Sequence, residues 1–310
     1  MNIVVFQGLR PIHPAAWQDM LSIPAVSLKI QAAQAILKEE DIRVEGYPLN
    51  LIDYSTGKIP PLSHHTLTVF EHPMIFLTSL ALWEAKKPPC DGVMGFSMGE
   101  WTAAVAAGCL GFRKGFLTIV KRGMLTSQAG GSSLLLRGPL PIKRLRAFSA
   151  FTKDVWLANI SSFSQGIISG ESEKITAIQQ ELGKSHRQLK VNPLDIGGAF
   201  HTPAMRNARK ELTTFLRDVK FRSPRVPLIL NATGEPEENP SEIKRLLLRQ
   251  MTARLYFPRT ARKLPPSASI HEIVVPLGGR LTVSQFINDG KKRPRQLSLP
   301  KRTAIAGQSA

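Results

Sequence analysis

The chain has 310 residues, 43% of them hydrophobic, and its 41 Lys+Arg against 23 Asp+Glu leave a formal charge of +18. That apolar content excludes a wholly disordered chain, and two cysteines, Cys90 and Cys109, exclude a disulfide scaffold. No apolar run reaches the roughly 18 residues of a membrane-crossing helix, and the start MNIVVFQGLRP lacks the basic region of a secretory signal, so a cytoplasmic globular protein with no membrane partner is expected.

In chain order, residues 2–6 (NIVVF) read as a buried strand followed by a turn at Gly8. Residues 73–85 read as a helix with proline in its first turn. Residues 91–95 read as a short strand entering a tight turn, and 100–107 and 113–128 as helices. Strands alternating with helices predict an α/β core around a parallel sheet. The pattern then changes. Residues 132–136, 155–158 and 166–169 read as strands, with helices at 140–148 and 173–182. A β-α-β-β-α-β order is the split arrangement of a small ferredoxin-like domain. A helix at 204–219, a strand at 226–230 and a helix at 241–251 return to the first pattern. The expected organisation is a large α/β domain in two parts, 1–128 and 196–289, with a small ferredoxin-like domain inserted at 129–195. A basic, disordered tail is expected from 290 to 310, where residues 291–302 carry six positive charges and no negative ones. Aromatic residues are only 7% and do not interleave with the basic clusters, so nucleic acid is not an expected partner. Acidic proteins and phosphate-bearing ligands suit the charge better.

The stretch Val93-Met94-Gly95-Phe96-Ser97-Met98-Gly99-Glu100 places G-x-S-x-G between the third of these elements and the helix after it. This is the layout of a nucleophile elbow, in which flanking glycines allow a sharp turn and hold the serine hydroxyl exposed at a helix start. It makes the expected large domain α/β-hydrolase-like. A serine nucleophile needs a base. Among His13, His64, His65, His72, His186, His201 and His271, His201 stands apart, because in GAFHTPAM a small-residue strand end meets a helix start. Cys, His and acidic residues do not cluster at metal-ligand spacing. The patterns GxGxxG and GxxxxGK[ST] are absent. No metal or cofactor is expected.

Several motifs fall in one order along the chain: G-x-S-x-G-E, an R-G pair 25 residues after the serine, A-F-H-T-P-x-M, and R-Q-M-T. With V-F-x-G at the start, Asn159 in L-A-N-I followed by G-I-I-S-G, and Asn231-Ala232-Thr233, the chain resembles the malonyl-CoA:acyl carrier protein transacylase family from about residue 3 to about residue 285. The resemblance implies an acyltransferase that moves a malonyl group from CoA, as substrate rather than cofactor, to an acyl carrier protein. It implies Ser97 as nucleophile, His201 as base, and the main-chain carbonyl of Gln250 orienting the imidazole. It also implies an oxyanion hole from the backbone N–H groups of Leu9 and Met98, and Arg122 gripping the malonyl carboxylate. Asn159 and His72 would orient the histidine or line the pocket. Nothing demands more than a monomer.

The chain departs from the family's pattern at four places near the expected pocket. Phe96 stands where the family has histidine, Leu9 replaces a glutamine and is followed by Arg10-Pro11, His72-Pro73 replaces Q-P, and the late G-P-G loop reads Pro276-Leu277-Gly278-Gly279. These imply a divergent member, such as a discrete acyltransferase of polyketide biosynthesis. Three rival readings remain open at this level. The acyl-serine could pass to water in an editing hydrolase, or the site could be a decayed, non-catalytic carrier-docking subunit. An ordinary α/β-hydrolase would instead pair Ser97 with Asp154 or Asp195 and with His201 or His271.

Overall fold

The computed structural model describes residues 1–9, 15–59, 62–138, 153–185, 188–194, 196–273, 275 and 283–291. Strand β1 (Asn2–Phe6) is followed by helices α1 (Ala15–Leu21) and α2 (Pro24–Glu39), a hairpin of β2 (Arg43–Val44) and β3 (Tyr47–Pro48), and the short helix α3 (Leu51–Ser55). Helix α4 (His64–Lys86), strand β4 (Gly92–Gly95), and helices α5 (Gly99–Ala106) and α6 (Phe112–Ala129) complete the first part. Next come β5 (Ser132–Arg137), β6 (Val155–Ile160), β7 (Gln165–Gly170), α7 (Ser172–Ser185) and β8 (Lys190–Pro193). A 3-10 turn (Pro203–Met205) leads into α8 (Arg206–Phe215), β9 (Leu228–Leu230), β10 (Glu235–Glu237) and α9 (Pro240–Gln250). The chain continues through β11 (Leu255–Tyr256), α10 (Phe257–Lys263), β12 (Ser269–Ile273) and α11 (Val283–Lys291).

One five-stranded sheet has the order β10-β9-β4-β1-β12. Four of its strands are parallel, while β10 turns back antiparallel on β9 and closes one edge, where an all-parallel sheet was expected. β1 is apolar at four successive positions because both of its faces are covered. Ile3 and Val5 face a cluster with Phe257, Phe286 and Ile287, and Val4 and Phe6 face the larger core built on α2, α4 and α5. The second sheet has the order β11-β6-β7-β5-β8, with β6, β7, β5 and β8 successively antiparallel. Its fifth strand, β11, comes from outside residues 129–195 and runs parallel to β6. The expected helix at 140–148 lies outside the described residues.

The long helix α4 departs furthest from expectation. It begins nine residues before Pro73, at a start capped by Ser63, whose Oγ accepts from the Thr66 N–H at 3.2 Å. A proline inside a helix removes a hydrogen bond and crowds the preceding turn, at a cost of about 3 kcal/mol. Here Val69, Phe70, Met74, Ile75, Phe76, Leu77 and Leu80 are all buried on α4. Burying that many large side chains, at about 1.5–3 kcal/mol each, outweighs the local penalty. Helix α2 was not anticipated either, although Val26, Ile30, Ala33 and Leu37 recur at helical spacing and are buried. The last helix extends to Lys291, two residues into the expected tail.

Candidate active site

The carboxyl ends of β1, β4 and β9 converge on one edge of the large sheet, the usual place for a site in an open α/β sheet. Between β4 and α5 the chain turns through Ser97, which is held at φ +54°. Both flanking glycines are sterically required. A Cβ on Gly95 would lie 1.9 Å from the Gly99 carbonyl carbon, and one on Gly99 would lie 2.3 Å from the Phe6 carbonyl oxygen. These obstacles are backbone and cannot swing aside. Gly99→Ala is therefore expected to destabilise the protein by about 1–3 kcal/mol, seen as a lower midpoint in thermal or urea denaturation, and to disturb the elbow as well. The turn after β1 passes directly over the serine: a Cβ on Gly8 would sit 2.6 Å from the Phe96 carbonyl oxygen and 3.2 Å from the Ser97 Cβ. Leu9, next in that turn, is half-buried. The next two N–H groups after Met98 are engaged, Gly99 donating to the Phe96 carbonyl at 2.9 Å and Glu100 to the Ser97 carbonyl at 3.1 Å.

His201 arrives from the loop before the 3-10 turn, also at positive φ (+59°). Its neighbour Thr202 fixes that loop, donating to the Ala199 carbonyl at 2.6 Å and accepting from the Ala204 N–H at 3.2 Å. Ser97 Oγ lies 2.7 Å from His201 Nε2, and His201 Nδ1 lies 2.9 Å from the Gln250 carbonyl oxygen. A carbonyl can only accept, so Nδ1 carries the proton and Nε2 is left to accept from the serine hydroxyl. Gln250 ends α9, where carbonyls have lost their intrahelical partners, and its oxygen, which otherwise takes only a long bond from the Ala253 N–H at 3.4 Å, accepts this one as well. Burial, with the charge of Arg122 adding to it, pushes the His201 pKa down to about 4 against the bond to Gln250, so the ring is neutral at pH 7.

Arg122 is 1% exposed, on the inner face of α6. Its Nη1 donates to His72 Nε2, and His72 Nδ1 in turn donates to the Thr68 carbonyl at 2.8 Å. Burial and the neighbouring guanidinium hold His72 far below the usual imidazole range, which keeps it a neutral acceptor. Gly123 eases the close approach of the two helices here, since a Cβ there would stand 3.2 Å from the His72 Cβ, tighter than ordinary contact. The guanidinium also lies 5.9 Å from the ring of Phe200, the residue before His201. Burial lowers Arg122 only to about 10, so it remains charged. Its Nε has no hydrogen-bond partner, and among the described residues it forms no ion pair.

The structure thus brings together Ser97, His201 and Gln250, with Met98 and the Leu9 turn beside them and Arg122 close by. His72 bonds Arg122 rather than His201, so it does not orient the catalytic imidazole. Asn159 sits buried on β6 opposite Leu255, and its hydrogen bond comes from Ser161 Oγ at 3.4 Å; no bond to Ser97 or His201 is found among the described residues. The hydrolase-type triad is not assembled among the described residues. His201 Nδ1 is occupied by a carbonyl, Asp154 pairs with Lys174 at the surface, and His271 faces Asn2 on β12. Asp195 and the loop 276–279 lie outside the described residues. Phe96 packs its ring 5.2 Å from Phe257 and 5.5 Å from Phe286, so an apolar cluster stands where the family has a polar neighbour. Two residues of the site had no role assigned from the sequence, Glu100 and Asn231. A lone acid in a helix of small apolar residues was the available signal for Glu100.

A family model described as an acyl transferase domain matches residues 50–292. The chain belongs to the acyl transferase domain family. This acyl transferase is 29% identical over 246 residues to the malonyl CoA-acyl carrier protein transacylase of Bacillus subtilis, covering 76% of each chain. It is also 29% identical over 206 residues to the polyketide biosynthesis protein ThaF of Burkholderia thailandensis, covering 64% of this chain but only 17% of ThaF. Among solved structures, the malonyl-CoA:acyl carrier protein transacylase of Xanthomonas oryzae pv. oryzae superposes with a TM-score of 0.75 at 20% identity, over 94% of this chain and 92% of that one. A malonyl-transacylase solved in complex with a type II polyketide acyl carrier protein gives 0.70 at 20% identity, over 88% and 96%. No helix among the described residues is long and apolar enough to cross a membrane.

Proposed function

We propose that this acyl transferase moves a malonyl group from CoA to the phosphopantetheine thiol of an acyl carrier protein through an ester on Ser97. One observation carries the reading: a fully buried, charged Arg122 that forms no ion pair among the described residues stands next to a serine–histidine pair. An unpaired buried cation is expensive, and the carboxylate of a dicarboxylic acyl group would relieve it. Guanidinium matches a carboxylate with two parallel charge-assisted bonds.

In the first half-reaction Ser97 Oγ attacks the thioester carbonyl and its proton passes to His201 Nε2. The N–H groups of Met98 and Leu9 receive the developing oxyanion. The C–S bond breaks and Nε2 returns the proton to the departing CoA thiolate. In the second half the carrier's thiol gives its proton to Nε2 and attacks the ester, and Ser97 leaves with that proton. The carbonyl at the C-terminal end of α9 favours the transient imidazolium. The base must be neutral, so kcat/KM is expected to be level at neutral pH and to fall only as pH drops through about 4, read from a pH–rate profile.

The same reading takes the five-stranded, mostly parallel sheet with its elbow as α/β-hydrolase-like. The antiparallel order β6-β7-β5-β8 supports a ferredoxin-like small domain at 129–195 between two parts of a large one, 1–128 and 196–289, with a basic tail after it. It requires no metal or cofactor, works as a monomer, and belongs in the cytoplasm. The net charge of +18 suits encounter with an acidic carrier and with CoA phosphates. Polyketide biosynthesis is the favoured setting, given the ThaF likeness and the Phe96 departure. The clamp weighs against an editing hydrolase, and the bonded Ser97–His201 pair against a decayed docking subunit. Intact-protein mass after brief mixing with malonyl-CoA or acetyl-CoA tests the function. A malonyl adduct that holo carrier protein removes is expected. CoA release with no adduct and no charged carrier would mean hydrolysis instead.

A further inference from the structure

Glu100, the second residue of α5, is a buried acid that the reaction as derived does not use. It is 2% exposed, and its hydrogen-bond partners all belong to the site. One carboxylate oxygen accepts from the main-chain N–H of Asn231 at the end of β9, and the other accepts from Gln250 Nε2. The same Gln250 nitrogen donates to the Ser97 carbonyl at 2.8 Å, and Asn231 Nδ2 donates to the Gly95 carbonyl at 2.6 Å. Two acceptors on one side set the orientation of the Gln250 amide. Gln250 is also the residue whose main-chain carbonyl takes the His201 Nδ1 proton. Nucleophile, base, anchor and carboxylate therefore close into one ring.

Burial raises the Glu100 carboxyl to about 7, against its bonds to Asn231 and Gln250 and the charge of Arg122. Both of its oxygens accept from N–H donors, which is the bonding of the carboxylate form.

We propose that Glu100 is a positioning residue for the Ser97–His201 pair: through Gln250 it holds the anchor of the base. The proposal does not depend on which acyl group the site takes. Glutamine cannot substitute. It has one acceptor oxygen, and its NH2 would face either the Asn231 N–H or the Gln250 amide, donor against donor.

The test is Glu100→Gln in the full chain, with two readouts. Labelling of Ser97 by a fluorophosphonate, followed by intact mass, reports on the dyad alone and is expected to slow about tenfold or more. With malonyl-CoA, kcat is expected to fall by a similar factor while KM is unchanged, because Arg122 is not touched. A purely structural role, loosening the pocket as a whole, would move KM as well. Wild-type labelling by a folded Glu100→Gln, or a KM that moves together with kcat, overturns the proposal. If that variant does not fold, Gln250→Met decides. It removes the amide but keeps the main-chain carbonyl, and should show the labelling defect with KM unchanged; labelling at the wild-type rate overturns the proposal. Failure of the malonyl reading looks different: wild type would label with the phosphonate but take no malonyl group.

Discussion

With His201 replaced by alanine, the Ser97 ester is expected to form about 10²- to 10⁴-fold more slowly, and with Ser97→Ala not at all. The reason is geometric as well as chemical. Ser97 Oγ and His201 Nε2 are already at hydrogen-bond distance, 2.7 Å, and the tautomer is set by the Gln250 carbonyl 2.9 Å from Nδ1. The ring therefore needs no rearrangement to take the proton. An alanine leaves the hydroxyl to lose its proton to water in a buried site. What survives comes from the oxyanion donors and substrate binding, which do not depend on the imidazole. Single-turnover mass spectrometry with malonyl-CoA measures both variants. An adduct at the wild-type rate on His201→Ala would remove the dyad from the mechanism.

Replacing Arg122 by alanine is expected to lower kcat/KM for malonyl-CoA by about 10²- to 10³-fold, corresponding to the 2–5 kcal/mol typical of losing one partner of a buried charge pair. Acetyl-CoA, which has no carboxylate to leave unpaired, should improve relative to malonyl-CoA, so the preference between the two narrows or reverses. Lysine should not restore it. A point charge on a flexible stem cannot supply two parallel bonds, and Arg122 Nη1 also serves as the donor to the neutral His72 Nε2. Competition between the two thioesters on wild type, Arg122→Ala and Arg122→Lys gives the result directly. An unchanged preference in Arg122→Ala would mean that the acyl group is recognised elsewhere.

The elbow and its partner were legible because their physics is local. Gly95 and Gly99 flank Ser97 since any side chain there meets backbone, and a requirement of that kind leaves its mark within five residues. The run at 2–6 was legible because burial on both faces of a strand permits only apolar residues. Helix α4 was cut short because Pro73 is a local stop signal, and only burial on a packed helix overrides it. The parallel sheet was expected without its antiparallel edge β10, a three-residue strand too short to show a period. The bonding partner of His72 was out of reach of the sequence for a similar reason. Its neighbour in the chain is the Thr68 carbonyl, whereas Arg122, its partner from another helix, lies 50 residues away.

By itself, then, the sequence determined the turn chemistry, the apolar periods and the ordered set of motifs from residue 3 to residue 285, because covalent neighbours settle each of these. Only the tertiary structure decided which acids and carbonyls complete the site. Glu100 reaches Asn231 and Gln250 across separations of 131 and 150 residues, and Arg122 is left buried with no ion-pair partner among the described residues. Buried charge is expensive, and what compensates it depends on how the helices pack around it, which no run of residues along the chain records.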